Sequence, residues 1–168
     1  NGLRADHLDL DMVEALGRAG CFAVNLGIES GEPRVLELMG KGLRLEKVRE
    51  AVANLGAAGI EVGGFFVLGF PGETLEDMER TIAFAVELPL DRAHFSAFLP
   101  LPGTPAGDEI GAGLSPESLS YDAVPWAPGG LERSEQQHHC HGLPLLPQTS
   151  ATASSGLRRL RREAQEGC

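Results

Sequence analysis

The stretch Gly64-Phe-Phe-Val-Leu-Gly-Phe-Pro-Gly-Glu-Thr74 restricts the fold more than any other part of the chain. A continuous apolar run ends in a Gly-Phe-Pro-Gly turn, and a carboxylate and a hydroxyl open the segment that follows. Unbroken hydrophobicity over the length of a strand means burial on both faces, the condition of a parallel strand covered by helices. Thr74, with Asp77 three residues on, has the spacing of a helix N-cap. Strand, tight turn and helix in that order make a βα unit. In barrels of such units ligands sit at the turn after the strand, so Gly69 to Thr74 is the first candidate site.

The pattern recurs. Phe22 to Ile28, Ile60 to Leu68 and Ala93 to Leu99 read as strands whose starts lie about 35 residues apart, the repeat of βα units. Between them, Leu10, Val13 and Leu16 suggest a helix capped by Asp9 or Asp11 and ended by Gly20. Pro33 fits the first position of a short helix carrying Val35, Leu38 and Met39, ended by Gly40 and Gly42. Leu45, Val48, Val52 and Leu55 repeat at helical spacing up to Gly59, as do Leu75, Met78, Ile82 and Val86 after Thr74. Right-handed crossovers place the three parallel strands side by side in one α/β sheet. Three units cannot close a barrel and leave an open edge on each side. With Asn as first residue, the chain reads as a fragment of a longer protein.

Three regions are expected: residues 1–110 as the βα segment, 111–130 as an extension with Tyr121 and Trp126, and 131–168 as a poorly structured tail rich in Gln, Ser, Thr and His. The chain carries a net charge of −10, and residues 1–110 hold 9 Lys/Arg against 18 Asp/Glu. Such acidity repels polyphosphate and argues against a nucleic-acid partner. No apolar run approaches the ~20 residues of a membrane span and no leader pattern is present, so a cytoplasmic location is expected. Cys21, Cys140 and Cys168 have neither disulfide nor zinc spacing, which suits a reducing compartment.

Strand side chains alternate. Phe22, Val24, Leu26 and Ile28 form an apolar face that belongs under helices, and Ala23, Asn25, Gly27 and Glu29 form a small, polar one. In the third strand Phe95, Ala97 and Leu99 pack outward and His94, Ser96 and Phe98 face inward. An ordinary barrel interior is filled with Val, Ile and Leu. A small polar interior is instead either a hollow for a ligand or a hydrogen-bonded polar core. Glu29 is either a ligand contact, since a carboxylate accepts two bonds from a ribose diol, or a cap for the helix at Pro33, which Ser30 can also provide. Glu73 is either a ligand contact or a partner of the helix dipole. The Gly69, Pro71 and Gly72 turn brings backbone close to a ligand, and Pro100 to Pro105 closes the third strand in the same way.

At these residues the chain resembles the second half of a radical S-adenosylmethionine (radical SAM) enzyme, in the branch whose members often carry a cobalamin-binding domain. Asn1-Gly-Leu-Arg-Ala-Asp6, Ala19-Gly-Cys21, Asn25-Leu-Gly-Ile-Glu-Ser-Gly31, Val35-Leu-Glu-Leu-Met-Gly-Lys-Gly42, Gly69-Phe-Pro-Gly-Glu-Thr74 and Pro100-Leu-Pro-Gly-Thr-Pro105 carry the likeness over residues 1–110. The resemblance implies a partial (β/α)6 barrel of strands four to six, with S-adenosylmethionine and a [4Fe-4S] cluster as cofactors and cobalamin as a further one in the parent protein. It implies a site of Asn25, Glu29 and Ser30 near the ribose and amino-acid portions, with Gly69, Pro71, Gly72, Glu73, Pro102 and Gly103 around the adenine. The partners it implies are a small-molecule substrate and an electron donor. The Cys-x-x-x-Cys-x-x-Cys loop of the family falls upstream of Asn1, so the chain alone is expected to be inert. Two other readings are an unrelated (β/α)-barrel enzyme and a non-catalytic remnant whose His138-His-Cys-His141 tail binds a partner or metal.

Overall fold

The computed structural model describes residues 2–110. The expected extension and tail, with Tyr121, Trp126, Cys140, Cys168 and His138 to His141, lie outside the described residues. Three parallel strands, β1 (Ala23–Glu29), β2 (Glu61–Leu68) and β3 (Arg92–Ala97), form one sheet in the order β1-β2-β3. The helices are α1 (Leu10–Arg18), α2 (Pro33–Leu38), α3 (Leu45–Ala57), α4 (Leu75–Glu87) and α5 (Pro105–Ile110).

Local chemistry sets the helix starts. Asp9 caps α1 by accepting the Met12 N–H at 2.9 Å. Pro33 takes the first position of α2, where its missing N–H costs no hydrogen bond. Thr74 and Asp77 form a reciprocal capping box at the start of α4, a device contributing about 1 kcal/mol. The cap of α2 is the Glu32 side chain, whereas Ser30 accepts from the Glu32 N–H at 3.1 Å.

Parallel pairing brings Asn25, Gly63 and Arg92 into one row across the sheet and Gly27, Phe65 and His94 into the next. The free side of β1 is paired at one rung. Leu3 bridges Leu26 in parallel, donating to the Asn25 carbonyl at 2.7 Å and accepting from the Gly27 N–H at 3.0 Å. The helices cover the other face. Val24, Leu26 and Ile28 of β1 and Val62 and Phe66 of β2 bury against Val48, Val52 and Leu55 of α3 and Phe84 and Leu88 beyond β2. Each such side chain contributes about 1.5–3 kcal/mol on burial.

Several expectations shift by a residue or two. Phe22 is 80% exposed, and Cys21 packs on the core instead, so the apolar face starts at Val24. In α2 it is Leu36, not Leu38, that is buried with Val35. Leu10 is exposed, leaving Val13 as the buried residue of α1. β3 ends at Ala97, two residues before the apolar run does. Among the described residues no helix is long and apolar enough to cross a membrane.

Candidate functional site

The uncovered face of the sheet is built on glycines where its polar side chains lie. A Cβ on Gly63 would stand 2.1 Å from the Asn25 Oδ1, so the Asn25 amide occupies that space. A Cβ on Gly27 would stand 3.3 Å from the Glu29 Oε1. Two acceptor side chains thus rest over the two glycines Gly27 and Gly63, with Phe65, Arg92 and His94 in the same rows of the face. Glu29 is the last residue of β1, has φ 70 and follows a register shift between Gly27 and itself. A positive φ strains any residue with a Cβ, and strain of this kind concentrates at ligand-binding positions.

Lys41 completes this group, and the sequence reading missed it. Its Nζ lies 2.9 Å from the Glu29 Oε1. Helix α2 ends in a Schellman turn, in which the Gly40 N–H donates to Glu37 and the Lys41 N–H to Leu36 at 3.0 Å. Gly40 and Gly42 both take positive φ, which returns the chain to the strand end with Lys41 between them. The signal in the sequence is that lysine flanked by two glycines twelve residues after Glu29.

The turn after β2 stands beside this group. Gly69 and Gly72 have φ 83 and 81, the conformation in which glycine is preferred. The Arg34 guanidinium donates to the Gly72 carbonyl at 3.0 Å and pairs with Asp77, tying α2 to the turn. Phe70 meets Phe98 edge-on at 5.0 Å, joining the second turn to the end of the third strand. There Gly103 has φ 81 and its N–H is held by Asp108 at 2.9 Å, while Pro102 is exposed. Pro71 is half-buried between the two glycines.

Asn25, Glu29, Gly69, Pro71, Gly72, Pro102 and Gly103 therefore all lie at, or on the face leading to, the C-terminal ends of three adjacent parallel strands. Two expected contacts do not join them. Ser30 is fully buried, its hydroxyl 2.9 Å from that of Thr81, so it docks α4 rather than facing a ligand. Glu73 is 3% exposed, and its Oε2 accepts the N–H groups of Gly69 and Phe70. Burial pushes its carboxyl up to about 7 against the pull of those amides. His94 lies on the open face with its ring 5.3 Å from that of Phe65. A groove of about 530 Å³ lies away from this site, between Asp6, Asp9 and Asp11 on one side and Lys47, Glu50 and Asn54 of α3 on the other.

Residues 1–85 match the model of the Radical SAM superfamily. The chain belongs to this superfamily. A curated relative of this radical SAM chain, an uncharacterized methyltransferase of Pyrococcus horikoshii, is 40% identical over 101 residues, covering 60% of this chain and 22% of its own length. The bacteriochlorophyllide d C-12(1)-methyltransferase of Chlorobaculum tepidum is 33% identical over the same span and coverage. The chain spans about a fifth of the length of these curated relatives. Among solved structures, the radical S-adenosylmethionine methyltransferase TsrM of Kitasatospora setae, with cobalamin and a [4Fe-4S] cluster bound, matches with a TM-score of 0.60 and 25% identity. That match covers 94% of this chain and 35% of the other. Membership in the superfamily displaces the unrelated-barrel alternative.

The cofactors of the superfamily meet different fates here. Asn25 and Glu29 as acceptors, Lys41 as a cation and an open glycine floor suit the diol, ammonium and carboxylate of S-adenosylmethionine. An iron-sulfur cluster is not suited: among the described residues no three His, Cys, Asp or Glu side chains converge on a metal position.

Proposed function

We propose that residues 1–110 are the part of a radical SAM enzyme's barrel, strands four to six, that receives the adenosyl and amino-acid portions of S-adenosylmethionine. The observation that carries this reading is the Glu29–Lys41 pair at the end of β1, on the same sheet face as Asn25 and over the glycines Gly27 and Gly63. A zwitterionic amino acid attached to a ribose needs an anion and a cation side by side and a further acceptor along its length; Glu29 and Lys41 supply the first two at 2.9 Å, and Asn25, four residues earlier on the same strand face, supplies the third. The Gly69 to Gly72 turn and Pro102–Gly103 bring backbone to the base, with Phe70 and Phe98 forming the apolar wall between them.

S-adenosylmethionine, when cleaved reductively, supplies a 5′-deoxyadenosyl radical that abstracts a hydrogen atom from substrate. The role of this chain is to bind and orient that molecule and to keep water from it. Cluster ligands, electron donor and small-molecule substrate contacts belong to the rest of the parent enzyme. The likeness to the named methyltransferases supports proposing methyl transfer and cobalamin use for the parent, and the acidity of residues 1–110 supports proposing a cytoplasmic enzyme with a small-molecule rather than a nucleic-acid partner.

Two measurements test this. Calorimetric titration of S-adenosylmethionine into the 168-residue chain is expected to show binding. Glu29→Gln and Lys41→Met are each expected to weaken it by about tenfold, the effect of about 1.4 kcal/mol. The chain incubated with S-adenosylmethionine, iron, sulfide and dithionite is expected to release no 5′-deoxyadenosine. Product above the protein-free control contradicts the assignment of the cluster to other parts of the enzyme.

A further inference from the structure

Lys41 sits in a turn with little packing of its own. Helix α2 has six residues, too few to be stable by its internal hydrogen bonds. A Cβ on Gly40 or Gly42 would meet nothing within 4 Å, so positive φ rather than close packing explains both glycines. Glycines in open space leave a chain freer than other residues do. Yet the Lys41 ammonium meets Glu29 at 2.9 Å, a placement that a loose turn does not secure.

Arg4 reaches this turn from 37 residues away. Its Nη2 donates to the Lys41 carbonyl at 2.9 Å. Asp6 grips the same guanidinium: Nε donates to Oδ1 at 3.0 Å and Nη2 to Oδ2 at 2.8 Å, the two-pronged geometry that fixes its plane. The backbone on either side of Arg4 is fixed as well, since Leu3 bridges β1 at Leu26 and Ala5 is buried in the core. A closed circuit results. Strand β1 holds Leu3, Arg4 holds the Lys41 backbone, and the Lys41 side chain returns to Glu29 at the end of β1. Stability alone does not account for it, because a partly exposed ion pair such as Arg4–Asp6 adds little.

We infer that Arg4 is a positioning residue: with its plane set by Asp6, it holds the Lys41 backbone so that the Lys41 ammonium stands at the end of β1, against Glu29 and the carboxylate of the ligand. This rests on the adenosyl reading, in which that carboxylate belongs to the amino-acid portion of S-adenosylmethionine. Arg4 itself touches no ligand. Asp6 offsets its charge, so it acts through the geometry of the turn rather than through its field.

The test uses the full chain, Arg4→Gln and two ligands: S-adenosylmethionine, and 5′-deoxyadenosine, which lacks the amino-acid portion. By calorimetry, Arg4→Gln is expected to bind S-adenosylmethionine about tenfold more weakly and 5′-deoxyadenosine as the wild type does. In a Lys41→Met background the same substitution is expected to add no further loss. Without ligand, hydrogen exchange at the Lys41 amide, which bonds Leu36 at 3.0 Å, is expected to be about tenfold faster in Arg4→Gln. Ile60, in the matching turn after α3, bonds Leu55 at 3.0 Å and is expected to keep its rate. Equal weakening for both ligands, or a further loss on top of Lys41→Met, overturns the inference. So does an exchange rate at Lys41 that is unchanged or that rises together with that of Ile60. A wild-type chain that binds neither ligand, with Lys41 exchange still responding to Arg4, refutes the adenosyl reading and the ligand step built on it, and keeps only the hold of Arg4 on the turn.

Discussion

The Ser30 hydroxyl lies 2.9 Å from the Thr81 hydroxyl, both fully buried, and the Gly31 N–H donates to the same Thr81 oxygen at 3.1 Å. One threonine on α4 therefore fixes the turn that leaves the end of β1. Thr81→Val keeps the shape, leaves the Gly31 N–H without its acceptor and takes from the Ser30 hydroxyl one of its two partners, for which about 1–3 kcal/mol of stability should be lost in urea denaturation. Thr81→Ser retains the oxygen and is expected to recover most of it.

Gly31 lies against the same helix. A Cβ there would sit 2.5 Å from the Phe84 Cβ and 2.9 Å from the Thr81 Cα, contacts that force backbone to move. Gly31→Ala is expected to cost about 1–3 kcal/mol by overpacking. Gly56→Ala in α3, where a Cβ meets nothing within 4 Å, should instead stabilise by about 0.5–1 kcal/mol. Thermal midpoints of the two variants moving in the same direction contradict this account.

Glu29 holds φ 70, a conformation that glycine adopts without strain. Glu29→Gly is expected to raise the unfolding midpoint, by an amount corresponding to about 1 kcal/mol, while weakening S-adenosylmethionine binding. A variant that lost both stability and binding would show that the carboxylate, paired with Lys41, is a structural anchor rather than a ligand contact.

Much of this was legible in the sequence, and the limits were physical. Capping at Thr74 and the strand-end glycines depend on local chemistry, so spacing alone revealed them. Alternation correctly assigned Val24, Leu26 and Ile28 to the covered face and Asn25 and Glu29 to the open one. Ser30 and Glu73 were harder, because their partners decide their roles. Thr81 is 51 residues from Ser30, and the amides that occupy Glu73 carry no sequence signature. Lys41 was missed because its meeting with Glu29 depends on how two glycines fold the end of α2. Phe22 was misplaced since alternation gives a face but not where the covering helices stop.

Stability should depend on pH through Glu73. Its folded value, about 7, lies above the ordinary 4.5. The contribution is thus fully present below about pH 4.5 and is lost as pH rises through about 7, a loss of order 3 kcal/mol. Glu73→Gln removes this dependence and should be the more stable protein at about pH 8.

The central claim is that the open, strand-end face of this sheet receives the adenosyl group. Chemical-shift mapping on the nitrogen-labelled full chain with S-adenosylmethionine tests it most directly. The predicted perturbations fall on Asn25, Gly27, Glu29, Lys41, Gly69 to Gly72 and Gly103. Perturbations confined to the groove between Asp9 and Glu50, or their absence at saturating ligand, contradict the account.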